Sequence, residues 1–414
     1  MKSRIIFSNI PSRKFNLPFG ILGFLSAVNF QQRVLIIPLE LMAVAYFIIT
    51  FKRSHHFQYP ELRKFLKALF LSAFLLIFLQ IIIDLYFVTP MIETLKTTAS
   101  IFTLVALIYS GINLLTENDI KLKSFLLGYV SSSLLTFFFF SNDYIKTDSW
   151  KFLFANSTTI FVLVALGFIQ KARFFKIIVI ISLSFIHLLL GSRSAALLTL
   201  LTVVALILPH RLKSGKRGLI LILLSIFLVS SLTAQLYQFL SLSGNLGISQ
   251  QEKAQKQFQS GPLLLFARSE LLYELGAIKD SPWVGKGSDP ILSQSLLANV
   301  SQNQERFGLK VKETAAYTSY LKNERIPLHS MLFSTWVQTG IVGVYFWLSI
   351  LGFFIKYFRV VIYSKSCFNL VASYFHFSAL WSLFFSPLGA GSRLFIALAV
   401  TCVARVIVSE SEFN

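Results

Sequence analysis

"ALFLSAFLLIFLQIIIDLYFV", residues 68–88, runs for 21 positions with a single ionisable side chain, Asp84. A helix needs about 20 apolar residues to cross roughly 30 Å of hydrocarbon, so this stretch predicts a transmembrane span. Comparable runs recur on either side of it, at 15–30, 34–51, 98–115, 125–141, 152–170, 177–191, 195–209, 218–239, 329–355, 366–387 and 393–409. Together they make about 12 spans. The first, seventh and eighth are short and the sixth carries Asn156, Ser157 and Thr158, which leaves a count of ten or eleven open. Composition points the same way: of 414 residues 55% are hydrophobic, 15% aromatic and only 14% charged, more apolar surface than a water-soluble domain can hide. The expected fold is an all-α polytopic membrane protein.

The net charge of +20 becomes orderly when it is sorted by loop. One set of alternate loops, beginning with the N-terminus, holds 22 Lys and Arg, including Lys52, Arg53, Lys121, Lys171, Arg211, Lys356 and Arg405. The opposite short loops hold six: Arg33, Lys96, Lys146, Lys151, Arg193 and Arg393. The positive-inside rule then puts both termini in the cytoplasm. The basic surplus reports topology and contact with anionic lipid, and no nucleic-acid partner is expected. The N-terminal segment has no small-residue cleavage site and leads straight into further spans, as an uncleaved anchor would. Cys367 and Cys402 fall in or beside spans, so neither a disulfide nor a cysteine metal site is expected.

Residues 240–328 break the hydropathy pattern with ten basic and eight acidic side chains. They divide the chain into helices of 1–239, a loop of 240–328 with helices of its own, and helices of 329–414. By the charge sorting the large loop lies outside the cytoplasm, between spans 9 and 10, in the periplasm of a cell with two membranes. A segment of this length inside a compact protein is usually functional or disordered, and helical pattern with aromatic content favours function.

Three side chains gather near the outer interface. "GPLLLFARSELLYELGAIKDSPWVGKG", Gly261 to Gly287, places Leu264, Leu271, Leu275 and Ile278 on one helix face and Arg268 among leucines on the same face. Such an arginine either snorkels to lipid phosphates or meets an anion. "LLLGSRSAALLTLL", Leu188 to Leu201, holds Arg193 in a turn too short to leave the interface, either as a snorkelling loop arginine or against a ligand. "RIPLHSMLFSTWVQTGIVG", Arg325 to Gly343, puts His329 at the outer mouth of the tenth span, after a helix-starting Pro327. Gly340 and Gly343 there would let a neighbouring helix approach. An imidazole with an ordinary pKa of ~6.5 can take a proton from a hydroxyl, or it can simply hydrogen-bond a headgroup.

The order of these stretches, "GSRS" in a short external turn, "ARSELLYELGAIKDSPWVGKG" in a large external loop and "PLHSMLFSTWVQTGIVG" opening the next span, resembles the O-antigen ligase and O-antigen polymerase superfamily over roughly 175–350. The resemblance implies a helical membrane glycosyltransferase that takes a glycan from undecaprenyl pyrophosphate at the outer leaflet. A ligase passes it to lipid A–core sugar, and a polymerase passes it to another lipid-linked repeat. Carried over by motif, Arg193 and Arg268 would bind the donor pyrophosphate and His329 would be the base for the acceptor hydroxyl. Ser330 stands where Asn is frequent in that family. No cofactor is implied. No Asp-rich Mg²⁺ motif or phosphate-cradling glycine loop is visible, so a metal-free, inverting transfer is expected.

Further candidates for substrate binding are Arg393 in "GAGSRLF", Glu324 and Arg325 just before the histidine, and Trp283, which could stack on a sugar. His187 is expected to be a packing histidine, and Asp84 to face water or a basic partner. A lipid-linked glycan flippase is a rival reading. A transporter should carry charge or broken helices at mid-membrane, often with internal repeats, and the sequence shows neither. A receptor or assembly scaffold would leave Arg193 without a role.

Overall fold

The computed structural model describes residues 15–27, 38–51, 59–135, 149–169, 172–207, 216–248, 251–252, 254–255, 270–306, 325–364, 366 and 368–412. The amino-terminal helices are α1 (Leu17–Ala27), α2 (Pro38–Thr50), α3 (Pro60–Tyr86), α4 (Met91–Leu115) and α5 (Asp119–Leu135). A π-helical turn, Trp150–Phe154, opens α6 (Ala155–Gly167), followed by α7 (Arg173–Leu189), α8 (Arg193–Ile207) and α9 (Lys216–Leu242). The loop region carries α10 (Glu270–Asp280) and α11 (Gln294–Arg306). Then come α12 (Met331–Thr339), α13 (Ile341–Tyr363), α14 (Asn369–Phe385) and α15 (Ala390–Glu412). Among the described residues there is no strand, only an isolated bridge between Ile291 and Arg325.

Among the described residues five helices are long and apolar enough to cross a membrane: α3, α4, α13, α15 and the Ile220–Leu242 part of α9. The bundle is apolar outside and partly polar within. Phe74, Phe78 and Leu85 on α3 and Leu224, Phe227 and Leu228 on α9 are exposed, whereas Gln80, Asp84, Thr199 and Thr202 are buried. That inversion suits a hydrocarbon solvent, in which polar groups must find partners inside the protein.

α15 is the axis, packed against α4, α13 and α14 around Phe346, Trp347, Phe354, Tyr374 and Phe375. Ion pairs pin it toward both ends. Arg393 bonds Glu40 of α2 at 2.7 Å, and Arg405 bonds Asp119 of α5 at 2.6 Å. α1 and α5 cross closely because a β-carbon on Gly23 or Gly128 would collide with the backbone oxygen of Phe125 or Gly20.

Of the polar residues that made the sixth span ambiguous, Ser157 is buried, Thr158 half-buried and Asn156 exposed, with partners on neighbouring helices for this stretch. Asn156 Oδ1 accepts from the Tyr374 hydroxyl at 2.7 Å, and Thr159 Oγ1 bonds His187 Nε2 at 2.8 Å. Trp150 Nε1 donates to His187 Nδ1 at 3.1 Å, which leaves Nε2 as the protonated nitrogen and the donor to Thr159. His187 is therefore the packing histidine that was expected.

One expected element is divided. The run at 329–355, read as one span, is two helices, α12 and α13, broken at Gly340 with φ +65°. The hydropathy of the run is continuous, and the break comes from a loop packed against it.

Candidate functional site

The end of the bundle that bears α10 and α11 is built around α12. Nine residues long, α12 ends at Gly340, and its terminal carbonyls lack helical partners. The segment after α10 supplies them: Lys286 N donates to Val337 O at 2.7 Å and Gly287 N to Gln338 O at 3.0 Å. Trp336 Nε1 donates to Pro282 O at 2.8 Å, and Ile341 N to Trp283 O at 3.3 Å. A β-carbon at residue 340 would run into the Trp283 carbonyl, so glycine is required there by contact as well as by its left-handed φ.

Asp84, at the end of α3, fastens the same segment. It is 2% exposed and accepts from Ser288 N and Ser288 Oγ, each at 2.6 Å. The expectation that Asp84 faces water or a basic partner is thus corrected, because a backbone amide and a hydroxyl satisfy it instead.

The other end of α12 is held by Glu274 of α10. Its Oε1 accepts from His329 N at 2.6 Å, Ser330 N at 3.2 Å and Ser334 Oγ at 2.7 Å. Its Oε2 has no partner among the described residues, and the side chain is fully buried. Burial pushes the Glu274 carboxyl up to about 7, against the lowering effect of those hydrogen bonds. Ser330 caps α12, accepting from Phe333 N at 3.1 Å and donating to Leu383 O of α14 at 3.1 Å. A serine here does the capping work that an asparagine could also do.

His329 thus sits with its backbone fixed and its side chain exposed. Arg193 opens α8, half-buried, its guanidinium stacked on the Tyr237 ring of α9 at 4.4 Å. α8 packs on α14, and Ser330, next to His329, bonds the last turn of α14. Arg268 and Glu324 lie outside the described residues. Arg325 pairs with Asp289 at 2.7 Å, and Trp283 is 73% exposed. Arg393, a candidate for substrate binding, is held in an ion pair near the start of α15. It is 2% exposed, with Nε and Nη2 on Glu40 and Nη1 on Ser100 Oγ at 3.0 Å.

Beside α12 lies a cavity of about 620 Å³, walled by α3, α4, α12 and the start of α15 and reached by Ser288 and Leu328. Leu328 adjoins His329, and Ser334 shares Glu274 with it. Arg393 lines this cavity; Arg193 and His329 do not. Among the described residues no three His, Cys, Asp or Glu side chains gather as metal ligands.

Sequence reading missed Glu274 and the cavity. Glu274 had a visible signal, an acid one turn from Leu271 and Ile278 on the apolar stripe of its helix. No curated protein matches the chain. Residues 177–348, from α7 through the loop region into α13, match the model of a family described as O-antigen ligase. That stretch contains Arg193, Arg268, Glu274 and His329, and the match supports a likeness of this part of the chain to the O-antigen ligase and O-antigen polymerase superfamily.

Proposed function

We propose that the chain is a membrane glycosyltransferase that moves a glycan from undecaprenyl pyrophosphate to the hydroxyl of an acceptor sugar. The observation that carries this reading is His329, its main chain fixed by Glu274 next to a polar cavity and its imidazole exposed, within the segment that the family matches. The sorting of 22 basic residues against six supports a cytoplasmic-membrane topology with both termini inside, about 12 spans, and the loop of 240–328 in the periplasm.

In the reaction, the acceptor oxygen attacks the anomeric carbon as its proton passes to the His329 imidazole. The bond from that carbon to the diphosphate oxygen breaks, and its electron pair leaves with undecaprenyl pyrophosphate. Attack opposite the leaving group inverts the anomeric centre. Arg193 and Arg268 would neutralise the growing charge through guanidinium contacts, which are strongest where water is excluded. Stacking on Tyr237 holds the Arg193 plane in one orientation and reduces the ordering left to be done on binding.

The test is transfer by the full chain in liposomes containing lipid-linked glycan and rough lipopolysaccharide. His329→Ala and Arg193→Ala should each lose at least a hundredfold in kcat/KM, and wild-type rates in either would refute the assignment. Lipid A–core as acceptor makes the chain a ligase, and a second lipid-linked repeat makes it a polymerase. Surface polysaccharide from a deletion strain separates the two on a gel. Free lipid-linked long chains mark a lost ligase, and a single repeat on the core marks a lost polymerase.

A further inference from the structure

Two stripes of apolar side chains on the outside of the bundle end at the same place. On α3 the stripe holds Phe74, Phe78, Leu85 and Tyr86, and on α13 it holds Ile341, Tyr345 and Leu348, all exposed. The two helices pack together, and Lys356 of α13 bonds Glu61 of α3 near their basic ends. Along α13 the stretch from Ile341 to Arg359 rises about 27 Å, and along α3 the stretch from Arg63 to Asp84 rises about 32 Å. These lengths bracket the ~30 Å of a hydrocarbon core. Ile341 and Asp84 therefore mark one boundary of that core, and the basic side chains mark the other.

The segment after α10 is bound to both marks. Trp283 O accepts from Ile341 N at 3.3 Å, and Ser288 N and Oγ both donate to Asp84. Between them a β-carbon on Gly285 would meet the Gln338 carbonyl, and one on Gly287 would meet Asp84 and Thr89. The backbone of 283–288 is thus pressed against the bundle at boundary depth. Its first two side chains are left bare, with Trp283 73% exposed and Val284 53%. The charged side chains flanking this turn, Asp280 and Lys286, pair with each other at 3.2 Å, so they put no net charge against entry into lipid. An indole suits the edge of a bilayer, because its ring is apolar and its N–H is polar.

We infer that Trp283 and Val284 form an anchor seated in the bilayer interface, continuous with the lipid-facing stripes of α3 and α13. The partner is the lipid surface itself, and the loop region rides on the leaflet instead of standing in water. The anchor does not depend on the transfer reading, but it serves it. It keeps the joint between α10 and α12, and with it the His329 main chain, at the depth where a lipid-linked substrate presents its headgroup.

The experiment is fluorescence quenching of the full chain in lipid nanodiscs. Trp283 emission is the difference between wild type and Trp283→Phe, which removes the signal of the other tryptophans. Phosphatidylcholine brominated near the glycerol end of its chains should cut that emission at least about twofold, bromine near the chain ends should cut it less, and aqueous iodide should change it by less than about a fifth. Val284→Asp leaves the main-chain bonds of the segment in place and charges the turn. Measured against Trp283→Phe/Val284→Asp, it should raise iodide quenching about threefold. Emission quenched by iodide and untouched by brominated lipid overturns the inference in favour of a turn in water, free to stack on a sugar. Emission reached by neither quencher overturns it in favour of a protein cover, and so does quenching that Val284→Asp leaves unchanged.

Discussion

Titration of Glu274 should loosen the joint between α10 and α12. The carboxyl has an ordinary value of 4.5, and burial pushes it up to about 7 in the docked arrangement. A raised acid favours the docked state fully only below its ordinary value, and that contribution is lost as pH climbs through the docked one. Between pH 5 and pH 8 the loss is about 2.5 kcal/mol, roughly a seventyfold change in the docking equilibrium. The readout is hydrogen–deuterium exchange of the His329 and Ser330 amides, which donate to Glu274 Oε1, corrected for the intrinsic pH dependence of exchange. Their protection should fall about seventyfold over that range in wild type. Glu274→Gln keeps an acceptor oxygen but cannot ionise, so its protection should be flat. A wild-type profile without slope, or a Gln variant with the same slope, refutes the reasoning.

Two further changes test the frame of the site. Gly340→Ala must adopt a left-handed φ of +65° and press a methyl on the Trp283 carbonyl, at about 1–3 kcal/mol; differential scanning fluorimetry in detergent should show a lowered unfolding temperature, with protease cleavage near residues 281–288 accelerated. Arg393→Met leaves the buried Glu40 carboxylate without its guanidinium and should cost up to about 3–5 kcal/mol. The double variant Glu40→Leu/Arg393→Met should recover most of that stability in the same assay, and failure to recover would show that the pair is not the unit that matters.

The helical bundle was legible because lipid imposes long apolar runs that single-residue hydropathy detects, as at 68–88. The break at Gly340 was not, since no Asp, Glu, Lys or Arg interrupts the run at 329–355 and the cause lies in the carbonyl of Trp283, more than 50 positions away along the chain. His329 and Arg193 were legible as charges at helix mouths. Glu40 and Arg393 were not legible as partners, because the two stand 353 positions apart and neither spacing nor charge pattern reports such a contact. Gln80 gave no signal at all. A lone amide in a span looks like ordinary polar decoration until its lack of a partner among the described residues is seen.

The seam between the loop and α12 is sewn largely with main-chain atoms, Lys286 N to Val337 O and Gly287 N to Gln338 O. Every residue but proline carries a backbone N–H, so Val284 and Lys286 can be exchanged for other non-proline side chains without unpicking the stitches. Side chains along that seam can therefore vary while the backbone that fixes the end of α12 stays put.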